Sequence, residues 1–273
     1  MTDPGIHDIR DIRLFSMVDR APDPSLLVRF VDLANTMPEI RAAKAAMLDA
    51  LAVRDGATVL DVGCGTGDDA RELARLVGPE GRAVGVDASE TMIAEARRRA
   101  HGSGLHVDFE VTDAQHLPFP DDTFDACRTE RMLSHVADPR AALAEMARVT
   151  RPGGRVCALD VDLDSAGLED RVTRALRESM AHHVRSPHIG GELARLFEDV
   201  GMVDVAVRRQ GIAFDMEMVR PLISSQVARL QDEGLVAGEE TRRWWAAIEE
   251  ARRADRPFLR MTAVIVSGVP RRT

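Results

Sequence analysis

The sequence predicts an α/β fold built on a doubly wound, mostly parallel sheet. Three observations predict it. Short apolar runs alternate with helical patterns from about residue 57 to residue 161. A glycine-rich turn follows the first of those runs. Two late apolar runs enclose a helical stretch and read as a hairpin-like closing pair.

Each element has its own warrant. Residues 24–34 and 38–53 read as helices. Pro38 suits a first helical turn, and Ile40, Ala43, Met47 and Leu51 keep one apolar stripe. Thr58–Val62 is a short buried strand, and residues 68–77 form the helix after the turn. A second strand covers residues 82–86. Ser89 caps a helix that runs to Ala100. Residues 105–111 and 124–128 are the third and fourth strands. Asp138-Pro139 opens a helix to Thr150, and residues 155–161 form a fifth strand after Pro152-Gly153-Gly154. Beyond it, residues 168–183 and 190–200 read as helices, 203–209 as a strand, 217–253 as mostly helical and 261–266 as a last strand. One domain is expected, with a helical cap over residues 1–55 and a core over 56–162. Residues 163–273 complete it, with a helical insertion at about 212–257.

Composition narrows the function. The chain has 273 residues, 45% of them hydrophobic, enough for a sizeable core. Its net charge is −9, which argues against a nucleic-acid backbone as partner. Arg97-Arg98-Arg99 reads as a solvated helix face. Lys44 is the single lysine, and it stands in neither a phosphate-loop nor a Schiff-base context. With no tyrosine, a phenol base is excluded. Three cysteines without a Cys-x-x-Cys pair support neither disulfides nor zinc. The polar start is no signal peptide, and no apolar run reaches the ~20 residues that span a bilayer. A cytoplasmic protein away from membranes is expected. A homodimer is compatible with the sequence.

The chemistry centres on Asp61-Val62-Gly63-Cys64-Gly65-Thr66-Gly67. Glycines let the chain turn sharply and let a ligand approach the backbone. Amides at the following helix start favour an anionic group. Dinucleotide sites use G-x-G-x-x-G, whereas here the glycines are 63, 65 and 67 and position 68 is Asp. That carboxylate, with Asp61, disfavours pyrophosphate and tolerates an amino group and a sulfonium. Asp87 ends the second strand, where an acid accepts ribose hydroxyls. Asp113 ends the third and could accept from an adenine amino group. Three carboxylates thus converge on one crevice.

These residues resemble the class I S-adenosylmethionine (SAM)-dependent methyltransferases. Val59 to Gly67 resembles their first motif and Gly85 to Met92 their second. Asp113 to Phe119 and Asp122 to Asp125 resemble the third and fourth, and Arg148 to Gly154 the stretch before the fifth strand. The similarity runs from about Val59 to Asp160. It is nearest the branch of ubiquinone and menaquinone C-methyltransferases and secondary-metabolite tailoring enzymes. The resemblance implies seven strands with the last antiparallel. It implies SAM as cofactor, with Asp87 on the ribose, Ala88 and Met92 against adenine, and Asp113 and Ala114 on its edge. Gly63 and Gly65 would lie near the methionine moiety. Thr129-Glu130-Arg131 would flank that moiety and the transferring methyl.

Two residues are candidates for proton transfer. His135 follows the fourth strand, at the edge where ligands bind in such sheets, and an unperturbed imidazole titrates near pH 6.5. Asp160 follows the fifth strand and could orient the acceptor or act as base. Asp160, Asp162 and Asp164 alternate, and with Glu130 they could hold a divalent cation; the expectation kept is no metal. His182, His183 and His188 lack a metal spacing. Trp244-Trp245 reads as a core and surface pair. Residues outside the motifs carry Phe15, Met17, Phe30, Met37, Phe214, Met216 and Met218, which point to an apolar acceptor. The sequence-level conclusion is methylation of a small molecule at oxygen, carbon or nitrogen. The alternatives weighed are a non-methylating reaction such as a cyclisation, an NAD-dependent oxidoreductase, and a non-enzymatic SAM-binding partner protein.

Overall fold

The computed structural model describes residue 15 and residues 17–162, 170–181, 184–213, 216–254 and 260–271. Helices α1 (Pro24–Thr36) and α2 (Pro38–Leu51) come first. Then β1 (Thr58–Val62), α3 (Asp68–Val77), β2 (Arg82–Asp87), α4 (Glu90–Ala100), β3 (Val107–Val111), β4 (Phe124–Glu130), α5 (Pro139–Val149) and β5 (Thr150–Asp162) alternate. The remainder is α6 (Arg171–Ala181), α7 (Ile189–Asp199), β6 (Met202–Ala213), α8 (Met216–Asp232), α9 (Gly238–Arg253) and β7 (Arg260–Pro270).

The seven strands form one sheet in the order β3-β2-β1-β4-β5-β7-β6. Neighbours from β3 to β5 run parallel, and β7 is antiparallel to both β5 and β6. Order reverses between β2-β1 and β1-β4, which makes the C-terminal ends of those strands the expected ligand crevice. Alternation along each strand supplies two cores. Leu60, Val62, Val84 and Val86 face α5 and α7, through Leu143, Met146, Leu193 and Phe197. Val59, Ala83 and Leu159 face α2 and α3, through Ala43, Met47, Leu73 and Val77.

Local chemistry starts the helices where the sequence places them. Asp23 accepts from Ser25 N ahead of Pro24, and Asp138 accepts from Arg140 N and Ala141 N ahead of Pro139. Ser89 Oγ accepts from Met92 N at 3.1 Å. Ala52, at φ 52°, ends α2 with a left-handed residue.

Two expectations need correction. The first 55 residues are not simply a cap: α2 is an inner layer packed on the sheet, because its stripe Ile40, Ala43, Met47 and Leu51 is wide enough to bury. The C-terminal insertion gains a partner the sequence reading did not name. Helix α6 shares a small core with α8 and α9, made by Val172, Leu176, Ile223, Val227, Leu230, Trp244 and Ile248. Nor do Arg97-Arg98-Arg99 form one solvated face. Arg97 and Arg98 are exposed, but Arg97 also donates to Phe109 O, and the half-buried Arg99 pairs with Asp32 of α1 and Glu95. Trp244 is buried and donates to Thr173 Oγ1 at 2.9 Å, while Arg220 lies over the half-buried Trp245. Asp164, His182, His183 and Phe214 lie outside the described residues.

Candidate active site

One cavity of about 610 Å³ opens at the strand ends. It is lined by Asp61, Gly63, Cys64, Gly65, Asp87, Ala88, Met92, Asp113, Ala114 and Glu130. The same lining includes His135, Asp160, Phe15, Phe30, Ile223 and Met261. Both candidate bases and ten of the predicted cofactor residues therefore meet in one space. Gly67 and Thr129 do not line it. Gly67 serves packing instead: at φ 73°, a Cβ there would stand 2.5 Å from Phe109. Thr129 is buried, with a hydroxyl that has no hydrogen-bond partner among the described residues. Cys64 lines the cavity, but its side chain packs with Ala70, Ile93 and Phe109. Met17, one of the residues read as acceptor-facing, is exposed.

The glycine turn is shaped for close approach. Gly63 and Cys64 donate to Val86 O at 2.8 and 2.9 Å, which fixes the turn to β2. A Cβ on Gly65 would meet nothing within 4 Å, so its backbone faces open space. Asp87 accepts from Gly65 N and Ser89 N, both at 2.9 Å. Burial pushes its carboxyl up from the ordinary value against those two bonds. Asp113 is about half exposed; its bonds from Gln115 outweigh partial burial and hold its carboxyl low. Asp68 carries less free charge than the sequence suggests. It pairs with Arg71, accepts from Asn35 at 3.0 Å and has Arg99 at 3.6 Å.

Two features escape the sequence-level reading. The first is a buried ion cluster. Arg128, only 1% exposed, reaches Asp61 at 3.6 Å, Asp69 at 3.2 Å and Glu130 at 2.7 Å. Lys44 of α2 joins it, 2.7 Å from Asp69 and 3.4 Å from Glu130. Burial pushes the Asp61 carboxyl up to about 7, with Arg128 only partly opposing. At Asp69 the order reverses: Arg128 and Lys44 outweigh burial and hold it well below the usual range. The second feature is Asp19. Its carboxylate accepts from Ser89 Oγ, Glu90 N and Thr91 N at 2.7–3.0 Å, clasping the N-terminal segment onto the start of α4.

The candidate bases exchange rank. Burial, with Arg131 beside it, pushes His135 down to about 4. Asp160 accepts from Ser134 N and Val161 N, yet burial raises its carboxyl to about 6. At neutral pH His135 is uncharged but a weak base, and Asp160 is the stronger. An NMR titration of the His135 ring should show a midpoint near 4; a midpoint near 6.5 would place the ring in water. The sign for stability follows. The unfolded chain takes up this proton near pH 6.5 and the native chain does not, so His135 costs stability progressively as pH falls from ~6.5 to ~4. Among the described residues no three His, Cys, Asp or Glu side chains group as a metal ion requires.

Comparison with known proteins agrees with the fold. Residues 59–154 match the methyltransferase domain family. The chain is 43% identical over 178 residues to an uncharacterised 37.1 kDa protein in transposon TN4556 of Streptomyces fradiae, covering 64% of this chain and 51% of that one. It is 40% identical over 134 residues to the ubiquinone/menaquinone biosynthesis C-methyltransferase UbiE of Hahella chejuensis, covering 47% and 54%. Among solved structures, the [4+2]-cyclase SpnF shares the fold with a TM-score of 0.56 at 23% identity, over 84% of this chain and 81% of that one. Residues 59–154 are thus similar to methyltransferase domains, and the seven-stranded sheet is that of Rossmann-like methyltransferases. The chain spans about half the length of these curated relatives.

Proposed function

We propose that this chain transfers a methyl group from SAM to an oxygen, carbon or nitrogen of a small, largely apolar organic molecule. The observation that carries the reading is the single cavity joining the glycine turn to the apolar wall of Phe15, Phe30, Ile223 and Met261.

The residues present fit the cofactor. Gly65 offers bare backbone to open space, and Asp87 offers a half-buried carboxylate beside it. Asp87 would hold the ribose hydroxyls, Ala88 and Met92 the adenine face, and Asp113 and Ala114 the adenine edge. Gly63, Gly65 and Glu130 would border the methionine moiety. When bound, SAM supplies an electrophilic sulfonium methyl, so orientation is the larger part of the protein's task. The apolar wall excludes water and aligns the acceptor. Asp160 takes an acceptor proton where one must leave, and His135, uncharged, packs against Phe15 and shapes the same wall.

The test is calorimetric titration with SAM, S-adenosylhomocysteine (SAH) and NAD, followed by turnover of an acceptor panel read as SAH formation. Micromolar binding of SAM and SAH with no NAD binding, and SAH accumulating with a methylated product, are expected. Preference for NAD would overturn the cofactor reading. An altered acceptor formed without SAH would replace methyl transfer by a non-methylating reaction such as a cyclisation.

A further inference from the structure

Arg131 is held in an unusual way. It follows β4 with φ 51°, a left-handed conformation unfavourable for a side-chain-bearing residue. Its backbone N–H donates to Leu159 O at 2.8 Å, which pins that conformation against β5. Such strain persists only where the surroundings over-determine it. The result is to turn a guanidinium into the cavity wall beside His135 and Asp160.

The guanidinium is also incompletely used. Nε donates to Glu130 Oε1 at 3.1 Å. Its terminal nitrogens have no acceptor among the described residues, although the side chain is only 26% exposed. Glu130 does not neutralise it, since Glu130 also serves Arg128 and Lys44. Arg185, exposed at another part of the same cavity lining, adds a second positive charge. An anchored guanidinium with an open edge is a planar, two-pronged receptor for an oxyanion.

We propose that Arg131 selects the acceptor: its open edge pairs with an anionic oxygen on an otherwise apolar molecule, and cationic amines are refused. The anionic oxygen belongs to a carboxylate, a phosphate or an ionised enol or phenol. This assignment rests on the cavity being a joint cofactor and acceptor site.

Three naphthalene probes of one shape test it: 2-naphthoate, 2-naphthalenemethanol and 2-naphthylmethylammonium. Each is titrated calorimetrically into the chain saturated with SAH and into the chain alone. The expected result is at least tenfold tighter binding of naphthoate than of the other two. Arg131→Gln should abolish that preference, and Arg131→Lys, which keeps charge but not the fork, should keep part of it. SAH affinity should stay within about threefold in both variants. Equal binding of the three probes, or no naphthoate binding, would overturn the assignment. So would a tenfold loss of SAH affinity in Arg131→Gln, which would assign Arg131 to the cofactor carboxylate. SAH failing to bind the unaltered chain would overturn the cofactor reading instead, while the probes without SAH still report on Arg131.

Discussion

Replacing Arg128 with methionine should cost about 3–5 kcal/mol of stability, the range for removing one partner of a buried ion group. Arg128 lies opposite Asp61 in the β1–β4 register and is enclosed on all sides. Without it, Asp61, Asp69 and Glu130 share a buried site with Lys44 and Arg131 as the remaining cations. Methionine fills much of the volume, so the loss reads out charge and not a cavity. Urea denaturation at pH 7 measures it. Adding Asp61→Asn should recover part of the loss, because the carboxylate already held up near 7 is the least compensated of the three. A cost below ~1 kcal/mol for Arg128→Met would show that water reaches the cluster.

Asp87→Ala should weaken SAH binding by about two orders of magnitude. The carboxylate does two things at once. It holds the amides of Gly65 and Ser89, and it offers its remaining lone pairs to the cavity. Hydrogen bonds to a charged group are worth roughly 1.5–3 kcal/mol each, so losing a pair of ligand bonds and loosening the turn reaches this size. Asp113→Ala should cost under tenfold, since Asp113 is half in water and its oxygens are engaged by Gln115. Calorimetric titration of both variants checks the ranking. An Asp87→Ala chain binding SAH within threefold of the parent would remove Asp87 from the cofactor site.

The core was legible in the sequence because its signals are local. Strand β1 and helix α3 lie at the residues expected, since an apolar run, a glycine turn and an amphipathic stripe each act within a few residues. The cap signals Ser89 and Asp138 were legible for the same reason. What was missed depends on distance. Lys44 meets Asp69 and Glu130 only once α2 lies on the sheet, and Asp19 meets α4 across about 70 residues. One warning was available. Arg128 and Glu130 stand two apart in one strand, so they share a face, and buried charge demands partners. The shift of His135 was not readable, because its first cause is the enclosing wall, with the nearby charge of Arg131 as the lesser one.

The clasp of Asp19 has a consequence for which nucleotides the cavity admits. A helix start is a natural seat for phosphate. At α4 that seat is already taken by a carboxylate from the chain itself, bonded to Glu90 N and Thr91 N next to Asp87. An adenosine bearing a phosphate on its ribose would have to evict this internal anion and then lie against a second one. With Asp87 on the ribose as proposed, plain ribose is the form this internal anion would favour.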